Sequence, residues 1–365
     1  MHKSSDIFIG LMSGTSLDGA DAVACRFKDS SVEFLSHAHL PYSVTLRKSL
    51  LSLLKPGEDE INRCGRTGIQ LAHFYAQVVR KLLVQMNLSA DEVNAIGVHG
   101  QTIRHCPESG FTVQLNNPAL LAELTDIDVI ADFRSRDMAA GGEGAPLVPA
   151  FHACVFSATT PRAIVNIGGI ANITLLNGKD VLGFDCGPGN TLMDIWVQKH
   201  CGLFFDENGR WAMKGKVIPE LLDALLTDPY FSRKPPKSTG REYFNENWLI
   251  ERYPLLSDLA PQDVQRTLAR LTAKGILDAI DKTQPQTAEL FVCGGGALNP
   301  LLIEELQNGR YRVSSTARLG VDPMHVESMA FAWLAYRFVN KKAGNLPAVT
   351  RARGERILGA LYPAH

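Results

Sequence analysis

The 365-residue sequence is long enough for two domains, and its composition of 45% hydrophobic and 21% charged residues is ordinary for a folded protein. A formal net charge of −1 with no long basic run argues against a nucleic-acid partner and favours a small-molecule substrate. No run of about eighteen apolar residues is present, which argues against a membrane span. The seven cysteines form no C-x-x-C pair and the first residues lack an apolar export segment, so a cytoplasmic protein is predicted.

The first predicted element is a strand, a turn and a second strand. Residues 7–12 are apolar and rich in strand formers, and residues 20–27 resume an extended run. The turn between them consists mostly of Ser, Gly and Thr, whose backbone N–H groups and hydroxyls can converge on an anion. Asp18 in the same turn favours a divalent cation beside a phosphate, so the turn indicates a magnesium nucleotide, with an ordinary hairpin turn as the alternative. No Gly-Lys-Ser/Thr follows a strand, which excludes a Walker A loop.

A packing helix is predicted over residues 66–86 from its single apolar face. Residues 95–98 then predict a short buried strand that ends at the polar sequence His99-Gly100-Gln101-Thr102. Because strand ends often carry ligand contacts, His99 is a candidate site residue, and a half-buried structural histidine is the alternative.

The middle of the chain contains a glycine-rich segment. Residues 127–134 predict a strand that ends in charge at Arg134, a candidate anion contact. Residues 139–146 follow as a glycine-rich loop, which predicts either a hinge between domains or an ordinary connection.

The second half of the chain repeats the opening pattern. Residues 163–176 predict a strand, a glycine turn and a strand, which suggests a duplicated fold. Residues 181–184 predict a strand that delivers Asp185 at its end, before a Gly-Pro-Gly turn and a helix over residues 191–200. A carboxylate fixed among glycines in this way is typical of a general base, and an Asp that merely caps a turn is the alternative.

A third glycine-rich junction follows the predicted strand at residues 290–293. Three successive glycines there would let a flat ring or a ribose lie on the backbone. Residues 235–244 predict an ordered functional loop, and residues 268–280 predict an amphipathic helix. A closing helix is predicted through residues 331–339, with Glu327 in its first turn.

Together these features resemble the actin-like ATPase and sugar-kinase superfamily, which has two phosphate hairpins, a catalytic aspartate and an adenosine loop in this order. More closely, the chain resembles the anhydro-N-acetylmuramic acid kinase family over essentially its whole length. Cys186 stands where Thr is expected and Glu143 where Gln is more usual. The motifs that carry the closer resemblance are Met12-Ser13-Gly14-Thr15-Ser16-Leu17-Asp18-Gly19, His99-Gly100-Gln101-Thr102, Gly144-Ala145-Pro146-Leu147-Val148-Pro149, Asp185-x-Gly187-Pro188-Gly189-Asn190 and Lys237-Ser238-Thr239-Gly240-Arg241-Glu242-Tyr243-Phe244.

The resemblance implies an α/β fold of duplicated actin-like ATPase (ribonuclease H-like) domains that flank a nucleotide cleft. The first lobe would comprise residues 1–135 with a C-terminal segment of about 345–365, and the second lobe residues 136–344. The expected ligands are ATP, Mg²⁺ and the small molecule 1,6-anhydro-N-acetylmuramic acid. The resemblance leaves open whether the protein forms a homodimer.

The resemblance also implies roles for individual residues. Asp185 would be the catalytic base and a substrate contact, and Asp18 would hold the metal. The other candidates for the sugar are His99, Gln101, Asn116, Arg134 and Glu327. The candidates for ATP are Met12, Ser13, Gly14, Thr15, Ser16, Leu17, Asp18, Gly19, Asn166, Gly168, Gly169, Asn172, Gly187, Gly189, Asn190, Gly294, Gly295, Gly296 and Asn299.

The implied reaction converts the anhydro sugar, ATP and water into N-acetylmuramic acid 6-phosphate and ADP during peptidoglycan recycling. Asp185 would deprotonate the water that attacks C1 while O6 receives the phosphoryl group. Two other classes remain open, namely a conventional sugar kinase that phosphorylates a free hydroxyl and a non-catalytic actin-like ATPase.

Overall fold

The computed structural model describes residues 5–14, 17–28 and 31–365, and the chain divides into two compact units. Unit 1 comprises Met1–Val155 and His325–His365, and unit 2 comprises Phe156–Met324. None of the helices within the described ranges is long and apolar enough to cross a membrane. Both units combine a mixed β-sheet with helices, so the predicted α/β class is confirmed.

The first part of unit 1 contains most of its strands and helices. Its strands are β1 (Ile7–Met12), β2 (Gly19–Lys28), β3 (Ser31–Pro41), β4 (Ala95–Val98), β5 (Gln101–Cys106), β6 (Phe111–Leu115) and β7 (Val129–Ala131). Its helices are α1 (Val44–Leu53), α2 (Glu60–Met86), α3 (Pro118–Thr125), α4 (Ser135–Ala139) and α5 (Val148–Phe156), the last of which ends at the unit boundary.

Unit 2 follows as one continuous stretch of chain. Its strands are β8 (Arg162–Ile167), β9 (Ile170–Asn177), β10 (Asp180–Pro188), β11 (Glu289–Cys293) and β12 (Arg312–Ser315). Its helices are α6 (Thr191–Cys201), α7 (Pro219–Leu226), α8 (Pro229–Ser232), α9 (Glu246–Arg252), α10 (Pro261–Thr283) and α11 (Pro300–Gln307).

The chain then returns to unit 1 through α12 (Val326–Val339), α13 (Pro347–Thr350) and β13 (Ala360–Tyr362). The predicted boundaries at 135/136 and 344/345 therefore differ from those of the structure, at 155/156 and 324/325. The glycine-rich loop 139–146 lies inside unit 1, where the buried carboxylate of Asp137 accepts hydrogen bonds from Gly144 N at 2.9 Å and Thr350 Oγ1 at 2.7 Å.

The main sheets of the two units have the same strand order and the same strand directions, and β5 and β6 form a separate two-stranded sheet. Unit 1 has the order β3-β2-β1-β4-β7, with β13 added at the edge, and unit 2 has the order β10-β9-β8-β11-β12. In each sheet the first three strands in chain order form an antiparallel meander, and the next two lie parallel to the first. This correspondence confirms the predicted duplication.

Helix α12 lies directly against the sheet of unit 1 because two sheet residues have no side chain. A Cβ built on Gly10 would lie 1.8 Å from the carbonyl oxygen of Ser328, and one built on Gly97 would lie 2.1 Å from that of Phe331. Gly10 and Gly97 are partners in the parallel pairing of β1 and β4, so they form one smooth strip under the helix. The strip places Glu327, in the first turn of α12, in unit 1.

Candidate functional site

The turn between β1 and β2 is supported from within unit 1. The hydroxyl of Ser13 is buried, donates to the Gly100 carbonyl at 3.2 Å and lies 2.7 Å from Tyr75 Oη. Gln101 Nε2 donates to the Gly14 carbonyl at 3.2 Å. Both side chains therefore shape the turn, which differs from the prediction that the Ser13 hydroxyl points at a phosphate. Thr15 and Ser16, also predicted phosphate contacts, lie outside the described residues.

The second half of this turn is held in an unusual backbone conformation. Leu17 has a φ of +55°, its side chain is buried, and its carbonyl accepts from Arg47 Nε at 3.0 Å. Gly19 packs so closely that a Cβ would lie 2.2 Å from the Leu40 carbonyl oxygen. Met12 is half-buried at the end of β1, whereas Asp18 is exposed. The exposure of Asp18 keeps its carboxylate in reach of a ligand.

His99, Arg134 and Glu327 meet in unit 1. Arg134 Nη2 lies 2.9 Å from His99 Nε2, and its Nη1 donates to the Gly144 carbonyl at 2.8 Å. An arginine can only donate, so Nε2 accepts and the proton of the neutral imidazole belongs on Nδ1. Burial, helped by the charge of Arg134, holds the pKa of His99 well below its usual value. Burial lowers the pKa of Arg134 to about 10, against the opposing effects of Glu327 and Asp137, so the guanidinium stays charged at neutral pH.

Two buried donors here, His99 Nδ1 and Asn116 Nδ2, form no hydrogen bond of normal geometry in the described part of the chain. The backbone at Ser13 and Gly100 nevertheless lies close enough to the His99 ring to oppose the lowering of its pKa. Asn116 lies beside Gly100, the residue after His99, since a Cβ built on Gly100 would be 3.4 Å from Asn116 Cβ. Buried donors are nearly always satisfied in native proteins, so the unpaired Nδ2 of Asn116 is consistent with a ligand that supplies an oxygen atom.

In unit 2, three predicted site residues form a row across neighbouring strands. Asn166 on β8 pairs with Asn172 on β9, and Asn172 pairs with Asp185 on β10. Directly paired residues project from the same face of a sheet, so all three side chains share one face. The prediction that Asp185 ends its strand differs from the structure, in which β10 continues to Pro188 through a register shift between Asp185 and Gly187.

Asp185 is fixed by the loop at residues 237–239 and by Tyr230 of α8. Asp185 N donates to the Lys237 carbonyl at 3.1 Å, and Tyr230 Oη donates to the Asp185 carbonyl at 2.8 Å. Thr239 N donates to Asp185 Oδ2 at 3.0 Å. The carboxylate is half-buried and held in one orientation, as a general base requires.

The N-terminus of α6 packs on the turn between β8 and β9. Asn190 Nδ2 donates to the Ile167 and Gly168 carbonyls at 3.1 and 3.0 Å. Gly189 approaches so closely that a Cβ would lie 2.4 Å from the Gly168 carbonyl oxygen. Gly187, with φ +154°, faces Phe231 at 2.8 Å from a built Cβ. These residues brace the second hairpin, and Gly168 itself remains open, because a Cβ there would meet only the Ile170 carbonyl oxygen at 3.7 Å.

The three glycines after β11 have different environments. A Cβ on Gly294 would lie 2.1 Å from Asn166 Oδ1, and one on Gly296 would lie 2.4 Å from Ile167 Cγ2. These two glycines therefore allow the junction to pack on β8. Gly295 faces open space, with Asn190 Nδ2 4.0 Å away as the nearest atom, so a flat group has room there. Asn299 caps α11 by accepting from Leu301 N at 3.1 Å.

Sequence reasoning left some polar residues of unit 2 unassigned. The motif at residues 237–244 marked the loop as functional, yet it gave no role to Thr239 or Arg241. Asp194, in the first turn of α6, has a pKa raised by burial to about 7 despite the opposing charge of Arg241. The proximity of Asp194 to Arg241 could not be predicted, because forty-odd residues of chain separate them.

No group of three or more His, Cys, Asp or Glu side chains suited to a metal ion occurs among the described residues. Magnesium in nucleotide sites is commonly held by one or two carboxylates together with substrate phosphates. Asp18, exposed in the first turn, fits that kind of site.

A family model and two named relatives agree with one another. The family model for anhydro-N-acetylmuramic acid kinase matches residues 6–364. A protein of that name from Burkholderia ambifaria is 52% identical over 99% of this chain and 97% of its own length, and one from Burkholderia pseudomallei is 50% identical over 99% of each. The activator of 2-hydroxyisocaproyl-CoA dehydratase from Clostridium difficile, solved with bound ADPNP, aligns with 92% of this chain and 96% of its own at a TM-score of 0.48 and 12% identity. On the family model and the relatives, the chain belongs to the anhydro-N-acetylmuramic acid kinase family.

Proposed function

We propose that the chain uses ATP and water to open 1,6-anhydro-N-acetylmuramic acid and phosphorylate its O6, which yields N-acetylmuramic acid 6-phosphate and ADP in peptidoglycan recycling. Its family makes it a phosphotransferase acting on a small molecule. None of the seven cysteines, all of which lie in the described ranges, forms a disulfide, which supports the cytoplasmic localisation that we propose.

The orientation of Asp185 is the observation that carries the proposal. Its carboxylate shares a sheet face with Asn166 and Asn172, and the Thr239 N–H fixes Oδ2. A half-buried carboxylate held in this way can accept a proton from a water molecule in a defined direction.

The substrate itself requires such a base. O6 is bonded to C1 in the anhydro sugar, so no free 6-hydroxyl exists to attack ATP directly. Asp185 would take a proton from water as the water oxygen bonds to C1 and the C1–O6 bond breaks. O6 then takes the γ-phosphoryl group and the bond to the β-phosphate oxygen breaks, which releases ADP.

The His99 group in unit 1 supports a sugar-binding role. Arg134 fixes the imidazole with Nδ1–H as a donor, and Asn116 Nδ2, on a residue beside Gly100, offers a second donor. Glu327 acts electrostatically on Arg134 and is the acceptor candidate for a sugar hydroxyl. Gln101 would contribute indirectly, through its bond to the Gly14 carbonyl.

The glycine-lined surfaces support nucleotide binding. Gly168 and Gly295 leave backbone open to phosphate and nucleoside. Asp18 would hold Mg²⁺ together with phosphate oxygens, and the metal would neutralise charge on the transferring group.

An assay of ATP turnover against paired sugars tests the proposal. N-acetylmuramic acid and N-acetylglucosamine are each compared with their 1,6-anhydro forms, and ADP and sugar phosphate are measured. We expect stoichiometric ADP and phosphosugar with the anhydro muramic sugar. Preference for the sugars with a free 6-hydroxyl would indicate a conventional kinase, and ADP release independent of sugar would indicate an actin-like ATPase.

A further inference from the structure

The loop at residues 237–241 links the proposed base to the second hairpin within unit 2. One end fixes Asp185 through Lys237 and Thr239. At the other end, Arg241 lies over Gly169, where a built Cβ would be 3.0 Å from both Nε and Nη2 of the guanidinium. Arg241 forms no hydrogen bond or ion pair in the described part of the chain, although it acts electrostatically on Asp194. Arg241 is exposed, so a positive charge lies beside the hairpin turn with its donors available.

A buried hydroxyl points to the same place. Thr191, the first residue of α6, is 2% exposed, and its Oγ1 lacks a hydrogen-bond partner among the described residues. The same built Cβ on Gly169 would lie 2.8 Å from this oxygen. An unsatisfied buried hydroxyl at the start of an eleven-residue helix, facing a guanidinium, is suited to an anion.

The charge of Asp194 does not fully neutralise the positive charge of Arg241. Asp194 is one turn along α6 from Thr191, and the charge of Arg241 acts on its carboxyl. Since burial favours the protonated form of this carboxyl, part of the population leaves the guanidinium without a counter-charge at neutral pH.

The order of strands indicates which part of the nucleotide would lie there. The glycine junction follows β11, the hairpin turn joins β8 to β9, and Asp185 is on β10, in the sheet order β10-β9-β8-β11. A nucleoside at Gly295 would thus direct its phosphates along the hairpin toward the β10 edge, where Asp185 acts. The phosphoryl group nearest Asp185 is the one that is transferred.

We propose that Thr191 and Arg241 form a subsite for the γ-phosphoryl group of ATP. The inference rests on the proposed function in that the nucleotide is ATP. Because residues 237–241 also fix Asp185, the same loop sets the positions of the base and of the phosphoryl group it serves.

Nucleotide binding to the full chain tests the subsite without sugar. Dissociation constants for Mg²⁺–AMP-PNP and Mg²⁺–ADP are measured for wild type, Arg241→Met and Thr191→Val. A charge-assisted bond to phosphate contributes enough that we expect Arg241→Met to weaken AMP-PNP binding about 10- to 100-fold. ADP binding should change less than about threefold, because ADP lacks the group that the subsite holds. Arg241→Lys and Thr191→Ser should recover part of the AMP-PNP affinity, since they keep the charge and the hydroxyl.

Arg233→Met is the matched control, because Arg233 is an exposed arginine close to the same loop that lies over the Tyr230 ring instead. It should leave the ratio of the two dissociation constants unchanged. Equal losses of AMP-PNP and ADP affinity in Arg241→Met, or no loss of either, would overturn the subsite.

Failure of the proposed function gives a different pattern from failure of the subsite. If wild type ignores the anhydro sugar while Arg241→Met weakens AMP-PNP binding and leaves ADP binding nearly unchanged, the sugar reaction is refuted and the subsite is supported. If wild type turns over the anhydro sugar normally while Arg241→Met changes AMP-PNP and ADP affinity equally or not at all, the subsite alone is refuted.

Discussion

The carboxylate of Asp185 is oriented by the Thr239 N–H, a bond that an asparagine oxygen can also accept. Asp185→Asn therefore keeps the local shape but cannot take a proton. We expect kcat with the anhydro sugar to fall about 10²- to 10⁴-fold, the usual effect of losing a positioned base. Initial rates of ADP release measure the change, and nucleotide affinity should be retained.

Asp180→Asn is the control for this variant. Asp180 begins the same strand and is exposed. It should turn over like wild type. If Asp185→Asn did so too, Asp185 would have no part in the chemistry.

Asp194 couples the stability of the fold to pH. Its pKa is raised from 3.8 to about 7 by burial, so between these values the folded protein keeps a proton that the unfolded chain has lost. Stability from this group is complete below the lower value, falls as pH rises and reaches its minimum above about 7. Asp194→Asn has no such dependence, so its advantage over wild type in free energy of unfolding should grow from pH 5 to pH 8. Denaturant titrations at both pH values measure it.

Arg241→Met provides the converse experiment on the same carboxyl. The charge of Arg241 opposes the effect of burial, so its removal should raise the pKa of Asp194 further. The loss of stability should then extend to higher pH. A constant difference between Asp194→Asn and wild type across pH would contradict the raised pKa.

At the scale of elements, α12 depends on the glycine strip beneath it. Gly10→Ala would place a methyl group 1.8 Å from the Ser328 carbonyl oxygen, so the helix must move away from β1. Overpacking of this kind costs roughly 1–3 kcal/mol, and the displaced first turn carries Glu327. The temperature of thermal unfolding should fall, and the KM for the sugar should rise.

Gly65→Ala is the matched glycine control. Gly65 is exposed inside α2, and a Cβ there would meet nothing within 4 Å. It should stabilise the protein by about 0.5–1 kcal/mol, because alanine loses less backbone freedom in a helix. Destabilisation by both substitutions would mean that the packing under α12 is not the cause.

Periodic patterns and turn chemistry were sufficient to predict the local elements. The β1–β2 and β8–β9 hairpins, α6 and β11 lie within a few residues of their predicted positions. Helix α2 begins at Glu60, before its predicted start at residue 66, since the early residues lack the apolar face. The placement of α12 in unit 1 could not be predicted, because it depends on Gly10 and Gly97, which sit in strands far away in sequence.

In the candidate site too, contiguous motifs could be predicted and contacts between distant residues could not. Asp185 and the glycines were predicted because their motifs are contiguous. The roles of individual hydroxyls were not, since Ser13 turns inward to Tyr75 and Thr191 points at Gly169 only through tertiary packing. The contacts of Thr239 and Arg241 likewise depend on a loop that folds back over fifty residues of chain.

For the molecule as a whole, the fate of one oxygen atom separates the proposed reaction from ordinary phosphoryl transfer. In ¹⁸O-labelled water, attack on C1 places the label at the anomeric hydroxyl, while the former bridge oxygen carries the phosphoryl group. Attack opposite the departing O6, which lies on the β face, makes the first product the α anomer. Mass spectrometry and NMR of rapidly quenched samples measure both features.

The control is product incubated in labelled water without enzyme, because it reports slow exchange at C1. Label confined to inorganic phosphate would indicate hydrolysis of ATP. Absence of label from C1 would refute activation of water by Asp185.

The discontinuous path of unit 1 has a consequence for biosynthesis. As the chain leaves the ribosome, β1, β2 and β4 emerge early, but the helix that packs against Gly10 and Gly97 is made only after all of unit 2. Unit 2 is continuous and can complete its core first, whereas unit 1 keeps apolar sheet surface uncovered until residues 326–339 have been made. In nascent chains arrested before residue 326, unit 2 should therefore resist protease. The same chains should bind chaperones through unit 1.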